Sequence, residues 1–370
     1  MIPQAPLWLI LLAFLGMISV LVFFHELGHY LVARLFGIPA ETFSIGFGQE
    51  LVGWTDKQGT RWKIAWLPLG GYVKFVGDMT PASTPVDVDS IPEHLREHAF
   101  QLRPVWQRFF VVLAGPLANF LLAILIFTAV FTFVSAPETN RIGKVEPNSA
   151  AATAGLQPGD RILSVAGHRT SSFEDVRTVV EQIPDKTVPI ELQRGGSVDR
   201  LRVRIGSDEL SDEHGKRITI GLLGVSAAPV SIFRAAPLAT EQTVRITGWV
   251  VAGAAKLIVG EGSRKDVGGP IRIAQFAGQA ASLGALPFVQ LLALLSINLG
   301  FINLLPVPLM DGGHLFFYGV EAIRRRPLSE RALEWAFRGG LAVILALVVF
   351  TTINDLGSIG LWDRLQRLIG

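Results

Sequence analysis

His25-Glu26-Leu27-Gly28-His29 is the segment of this chain best suited to chemistry. Histidines four residues apart share one face of a helix, so both imidazoles can grip a single metal ion. The glutamate beside them is turned off that face but can reach a water on the ion. Helical zinc hydrolases use this arrangement to make a nucleophile from water and to take its proton. The setting narrows the reading further. Leu7 to Phe24 contains no charged residue, and such a run is long enough to cross most of a bilayer core. Two histidines and a glutamate at its end are costly in lipid unless they have partners or a task. The plain alternative is a chance match on a structural helix, but the chain has only 7 histidines, which makes chance matches rare.

A zinc site needs a third protein ligand, and the chain has no cysteine, so His, Asp or Glu must supply it. Asp311 is the best candidate. It follows Asn303-Leu304-Leu305-Pro306-Val307-Pro308-Leu309-Met310, precedes Gly312-Gly313, and is the only carboxylate between Asp266 and Glu321. The prolines and glycines unwind the helix around it, and broken helices at membrane depth are tolerated where they line a protein cavity. The alternative is a helix-capping Asp at the membrane edge. Asn303 and Asn298 are polar groups in the same apolar segment. Either can donate to an oxyanion or to substrate backbone, or satisfy carbonyls freed by Pro306 and Pro308. His314 reads as a packing residue, and His94, His98, His168 and His214 as solvated.

The elements that must position these residues are mostly apolar. Half of the 370 residues are hydrophobic and 17% are charged, with a mean hydropathy of +0.43. That composition indicates an integral membrane protein with some soluble mass. The net charge of +2 gives no case for nucleic-acid binding. Four spans are expected, near Leu7–Phe36, Val105–Val134, Leu286–Val320 (interrupted by Pro306 and Pro308) and Leu341–Ile353, the last short unless it starts near Ala332. The first lacks the basic flank and small-residue cleavage site of a signal peptide. Arg34, Arg61, Lys63, Lys74, Arg103 and Arg108 fall between or at the edges of the first two spans. Arg324-Arg325-Arg326 and Arg331 fall between the last two. The positive-inside rule places both connections in the cytoplasm and the 136–285 region on the far side. His25 to His29 then sit near the cytoplasmic end of their span.

Glu41 to Phe75 reads as a β-hairpin turning at Asp56-Lys57-Gln58-Gly59. Its aromatic residues suggest that it dips into the membrane interface; a plain cytoplasmic hairpin is the alternative. Pro81 to His98 reads as a loose linker. Residues 141 to about 206 form a soluble module with a strand at Arg141–Val145 and a short helix closed by Gly155. A capping box at Ser171-Ser172-Phe173-Glu174 opens a helix through Gln182. A last hairpin is expected from Pro189–Leu192 and Leu201–Ile205. Glu241–Ile258 and Ile271–Leu283 read as amphipathic helices.

These residues together resemble a known family. His25-Glu26-Leu27-Gly28-His29, Gly46-Phe47-Gly48, Gly115-Pro116-Leu117-Ala118-Asn119-Phe120 and Asn303 through Gly312 are similar to site-2 proteases of the bacterial regulator-of-sigma-E protease type. The resemblance covers nearly the whole chain; Met310 stands where the family usually has Leu, a nearly volume-conserving swap. It implies zinc as cofactor, His25, His29 and Asp311 as ligands, and Glu26 as general base. Asn303 would position substrate, as would the Gly46, Phe47 and Gly48 segment. The 141–206 module resembles a PDZ domain, with room for one where better-known members have two. A groove is expected between Ile142–Val145 and Phe173, Val176 and Val180, although for Val176 and Val180 a place in the module's own core is the favoured reading.

The expected architecture is a polytopic α-helical membrane protein with a membrane-associated β-hairpin and an inserted α+β PDZ-like domain. Its parts are 1–135 (two spans, metal motif and hairpin), 136–225 (the PDZ-like domain), 226–285 (amphipathic helices) and 286–370 (two spans and the third ligand). The expected function is intramembrane hydrolysis of single-span membrane proteins, such as an anti-sigma factor after a first periplasmic cut, or leftover signal peptides. The expected partners are those substrates, the lipid bilayer and a periplasmic partner at the PDZ-like domain. The resemblance and the charge pattern together imply the bacterial inner membrane. One alternative is a catalytically inactive, membrane-anchored PDZ scaffold, which the complete ligand set disfavours. A metal transporter would carry more intramembrane carboxylates or histidines along a pathway.

Overall fold

In the computed structural model, residues 5–77, 91, 93–211, 217–261 and 268–358 are described. The chain divides into two compact units, Met1–Ala123 with Thr243–Gly370, and Ile124–Gln242.

Four helices among the described residues are long and apolar enough to cross a membrane, within Leu7–Leu35, Val105–Phe133, Ala285–Leu304 and Arg331–Gly357. The first unit is built around them. Helix α1 (Leu7–Leu35) ends where Gly37 takes a left-handed turn at φ 69°. Strands β1 (Ala40–Thr55) and β2 (Arg61–Phe75) run antiparallel. Both strands bend, so four segments lie side by side in the order 50–55, 61–65, 42–45 and 71–75. At the turn between the strands Asp56 accepts from the backbone of Gln58 and Thr60 and from Trp62 Nε1 and Tyr30 Oη. A short turn, α2 (Glu93–Arg96), is what the structure describes of the expected linker; residues 81–90 lie outside the described residues. Helix α3 (Val105–Phe133) begins the second span.

The later helices depart from expectation at their ends. The third apolar segment breaks at its prolines as read, into α8 (Ala285–Leu304) and α9 (Asp311–Arg324), so the span itself ends at Leu304 and not near Val320. Pro306 and Pro308 cannot continue the hydrogen-bond ladder, and Leu309 turns the chain at φ 79°. The fourth helix, α10 (Glu330–Ser358), begins well before Leu341 because its first turns are polar and invisible to an apolar count. Helix α6 (Ile232–Val259) starts earlier than Glu241, and α7 (Pro270–Leu283) packs against α1. Asp355 of α10 is buried and accepts from the backbone N–H groups of Gly269, Ile271 and Arg272, which caps α7 from another helix.

The second unit holds β3 (Ile142–Val145), α4 (Ala150–Thr153), β4 (Arg161–Val165), β5 (His168–Arg169) and α5 (Phe173–Glu181). It continues through β6 (Thr187–Arg194), β7 (Ser197–Arg204), β8 (Gly206–Ser211), β9 (Arg217–Leu222) and β10 (Val225–Ala227). The main sheet has the order β5-β4-β6-β7. Strands β6 and β7 join through Gly195-Gly196, both at positive φ as a tight two-residue hairpin requires. The unit continues past residue 206 through β8 to β10, which end close to the expected domain end at 225. The helix cap lies one residue later than read: Ser172 accepts from Asp175 N–H, and Asp175 accepts from Ser172 N–H. Asp175 also takes the N–H and hydroxyl of Ser171, which the shift places within its reach.

Val176 and Val180 take the core role that the sequence favoured for them over a groove. Ile142, Val176 and Val180 are core residues with Ile162, Ile190 and Val203, and β3 pairs with β10. Beside this core Asp160 is buried and receives both Nε and Nη2 of Arg194, at 2.7 and 2.6 Å. Burial alone would raise the Asp160 pKa, but the Arg194 guanidinium and the Gln157 N–H outweigh it and hold the carboxyl below its ordinary value. Its contribution is therefore present above the unfolded carboxyl pKa, about 3.9, and is lost as pH falls through the lower folded value. Arg194→Ala should lower the melting temperature of the full chain at pH 7 and do so less at pH 3, read by calorimetry.

Candidate metal centre

Helix α1 places His25 and His29 one turn apart, both buried, with their Nε2 atoms 3.3 Å from each other. Asp311 opens α9, and its Oδ2 lies 3.1 Å from His25 Nε2 and 3.6 Å from His29 Nε2. Among the described residues this is the group able to hold a metal ion. With zinc–ligand bonds of about 2.0–2.1 Å, the edges of a tetrahedral site measure about 3.3–3.4 Å. The three separations cluster around that length. Asp311 Oδ2 is also buried without a hydrogen bond, an expensive state for a carboxylate oxygen unless a cation completes it.

The histidines are oriented by what their other nitrogens touch. His29 Nδ1–H donates to the Val111 carbonyl of α3 at 2.9 Å. That fixes the tautomer and leaves Nε2 with a free lone pair. His25 Nδ1 lies 3.1 Å from the side-chain amide of Asn119, a fully buried residue about two turns further along α3 than Val111. A His25 that ligates through Nε2 carries its proton on Nδ1 and needs an acceptor there; the amide nitrogen of Asn119 faces it and the amide oxygen is buried without a partner, so turning the amide over satisfies both groups. Asn119→Ala should weaken zinc affinity by about 10- to 100-fold, the usual cost of losing such a support. Competition with a graded chelator measures it.

Two glycines let α3 come this close. A Cβ on Gly115 would fall inside the His29 Nε2 atom and 2.9 Å from His25 Cε1. A Cβ on Gly28 would run into the Ala114 carbonyl and lie 2.7 Å from Ala118 Cβ. Small residues permit close helix approach in membranes; here they also make the space that an ion would fill. Asp311 is set by the same means. A Cβ on Gly312 would collide with the carbonyls of Leu304 and Leu305, and one on Gly313 would lie 2.5 Å from the Val307 carbonyl. Only glycine at both positions lets the 305–310 turn fold back on the first turn of α9.

A cavity of about 430 Å³ opens on this group, lined by Glu26, Phe47, Gly70, Gly71, Asn303 and His314 among others. Glu26 Oε2 accepts from Val73 N–H of β2 at 3.1 Å, so the carboxylate is held at the cavity wall beside the histidines. Asn303 aims its amide at His25 Nε2, 3.4 Å away. Asn298 instead donates to the Leu294 carbonyl in its own helix and is half-buried. Phe47 lines the cavity, whereas Gly46 and Gly48 shape β1 behind it, both at φ 90°. His314 packs its ring on Phe337, with centroids 5.4 Å apart, while also touching the cavity. Sequence reasoning assigned no role to Asn119, Gly115 or Val73. The four-residue spacing of Gly115 and Asn119, which puts them on one face of α3, was the available signal.

Two histidines and a carboxylate on apolar helices, with a second carboxylate against an open cavity, define a metal-dependent hydrolase within a membrane protein. Residues 13–347 match the model of Peptidase family M50, and the chain belongs to that family. It is 43% identical over 358 residues to a protein of Agrobacterium fabrum named "Putative zinc metalloprotease", covering 94% of this chain and 95% of the relative. A protein of the same description from Mesorhizobium japonicum is 41% identical, covering 94% and 98%. "Metalloprotease MmpA" of Caulobacter vibrioides is 36% identical, covering 94% and 95%. The chain is thus a multi-pass membrane zinc metalloprotease of the site-2 type.

Proposed function

We propose that this protein hydrolyses a peptide bond within or near the transmembrane segment of single-span membrane proteins, in regulated intramembrane proteolysis. The substrate class includes an anti-sigma factor already cut on the periplasmic side, and leftover signal peptides. The observation that carries the reading is the position of the metal group. His25 lies 18 residues into a 29-residue apolar helix, about 27 Å from its start at 1.5 Å per residue. A site at that depth serves substrates that are themselves in the bilayer.

In this reading His25, His29 and Asp311 hold zinc. The ion, when bound, would supply Lewis-acid chemistry toward a carbonyl and a water. Glu26 takes the proton from that water, and Val73 N–H keeps its carboxylate aimed there. The Asn303 amide, beside His25 Nε2, donates to the carbonyl oxygen as negative charge develops on it.

A helical substrate hides its carbonyls in its own hydrogen bonds and must be drawn out. The 71–75 segment of β2 lies at the edge of its sheet, and Gly70 to Val73 line the cavity. Val73 N–H faces Glu26, away from β1, so by alternation Gly71 presents its N–H and C=O along the same edge. A substrate strand pairing there would be held extended beside the metal group. Phe47 would contact its side chains, and Gly46 and Gly48 would shape the strand that carries Phe47. The sheet would lie in the membrane interface, where the exposed Trp54, Trp66 and Leu67 find a suitable medium.

The arginine-rich connections support a metal site toward the cytoplasmic side of a bacterial inner membrane. The 124–242 unit would then be a periplasmic, PDZ-like domain that meets a partner there. The test is cleavage of a model single-span substrate by purified protein in detergent, with products mapped by mass spectrometry. Cuts inside the hydrophobic segment, favoured when the periplasmic part has been trimmed, are the expected result. Cuts confined to soluble loops would overturn the reading.

A further inference from the structure

A second cavity, of about 500 Å³, lies wholly within the 124–242 unit. Arg141, Arg161 and Arg234 line it, and Glu138 is the only carboxylate among its lining residues. The charge is therefore three cations against one anion. Arg161 is held in place by Nε donating to Asn140 Oδ1 at 2.9 Å. Asn140 is itself buried and donates to the carbonyls of Ile162 and Thr170. The wall behind the arginines is therefore fixed, and Arg141 and Arg234, like Arg161, are exposed.

The cavity is also tied to the end of a membrane span. Val230, one of its lining residues, donates its N–H to the Phe131 carbonyl in the last turn of α3. Ala136 N–H donates to Ala228, another lining residue. The apolar residues beside it are strongly exposed: Phe133 at 80%, and Phe233, next to Arg234, at 88%. Exposed phenylalanines at a span's end fit the boundary of the hydrocarbon layer, and the headgroup zone begins there. Guanidinium groups pair with phosphate through several parallel hydrogen bonds.

We propose that this cavity binds the phosphate of an anionic phospholipid headgroup, with Arg141 and Arg234 as contacts and Arg161 as the fixed one. Free phosphate shares the chemistry. The lipid is favoured because the cavity is hydrogen-bonded to a span end and flanked by Phe133 and Phe233, which a free ion would not need.

The test is native mass spectrometry of the full chain in detergent with added palmitoyl-oleoyl phosphatidylglycerol or phosphatidylcholine. The wild type should retain phosphatidylglycerol in preference to phosphatidylcholine. R141Q/R234Q should bind phosphatidylglycerol about tenfold more weakly, in the range expected for two lost charge-assisted contacts. R141Q and R234Q alone should each give a partial loss. Arg177→Gln, which removes an exposed arginine paired with Glu181 elsewhere in the unit, should change nothing. Equal retention by wild type and R141Q/R234Q would overturn the proposal. Displacement of the lipid by an equal concentration of inorganic phosphate would overturn it too, and would identify the free ion as the ligand.

Discussion

Gly115→Ala should strip zinc from this protein without touching a ligand. The methyl group would occupy the space of His29 Nε2 and crowd His25 Cε1. Nothing nearby can yield cheaply. The His29 ring is pinned by its bond to Val111, a residue on the same helix as Gly115. The two helices cannot part locally without losing the Gly28 contact with Ala114 and Ala118. Overpacking of this kind typically costs about 1–3 kcal/mol when a core can adjust. Here the adjustment must come from an imidazole whose position is the site itself, so the cost appears as lost metal. The comparison is Gly16→Ala, on the same helix as the histidines, where an added Cβ meets nothing within 4 Å. Zinc content of the purified proteins checks this: near zero for Gly115→Ala and unchanged for Gly16→Ala.

Glu26→Gln should do the reverse, keeping zinc and losing turnover. Glu26 is not among the three residues whose ligand atoms converge. The amide that replaces it is nearly isosteric and can still accept from Val73 N–H. What it cannot do is take a proton from water. General-base catalysis contributes about 10²–10⁴-fold, so kcat should fall by that factor with KM little changed. Cleavage rate and zinc content, measured on one preparation, check it. A fall in both would mean that Glu26 holds the metal rather than the proton. The pair of variants thus separates metal binding from proton transfer.

The sequence made the motif on α1 legible because its residues are contiguous and a helix alone puts His25 and His29 on one face. Asp311 was legible for a different reason: it is the single carboxylate in a long apolar stretch, and the prolines before it announce a break. The supports of the site were not legible in the same way. Asn119 and Val111 matter only because α3 crosses α1 at the histidines, and a single sequence does not state that crossing. Val73 N–H is a backbone group whose partner, Glu26, lies 47 positions away.

In the 124–242 unit, apolar alternation announced β3, β4, β6 and β7, whereas β8 is mostly polar and gave little strand signal. The capping box slipped by one residue because Ser171-x-x-Glu174 and Ser172-x-x-Asp175 both fit the pattern. Backbone geometry, not sequence, chooses between them. Val176 and Val180 showed the helical spacing that serves either a groove or a core, and the structure assigns them to the core. Asp355 gave no signal, since a cap supplied from another helix has no local pattern.

The most direct test of the central claim is the zinc stoichiometry of the full chain in detergent, wild type beside Asp311→Ala. Two imidazoles alone make a poor zinc site, whereas two imidazoles and a carboxylate make a catalytic one. The account predicts about one zinc per wild-type chain and little or none in Asp311→Ala. Equal zinc in the two proteins would contradict it, because the residue that brings α9 to the histidines would then not be holding the metal.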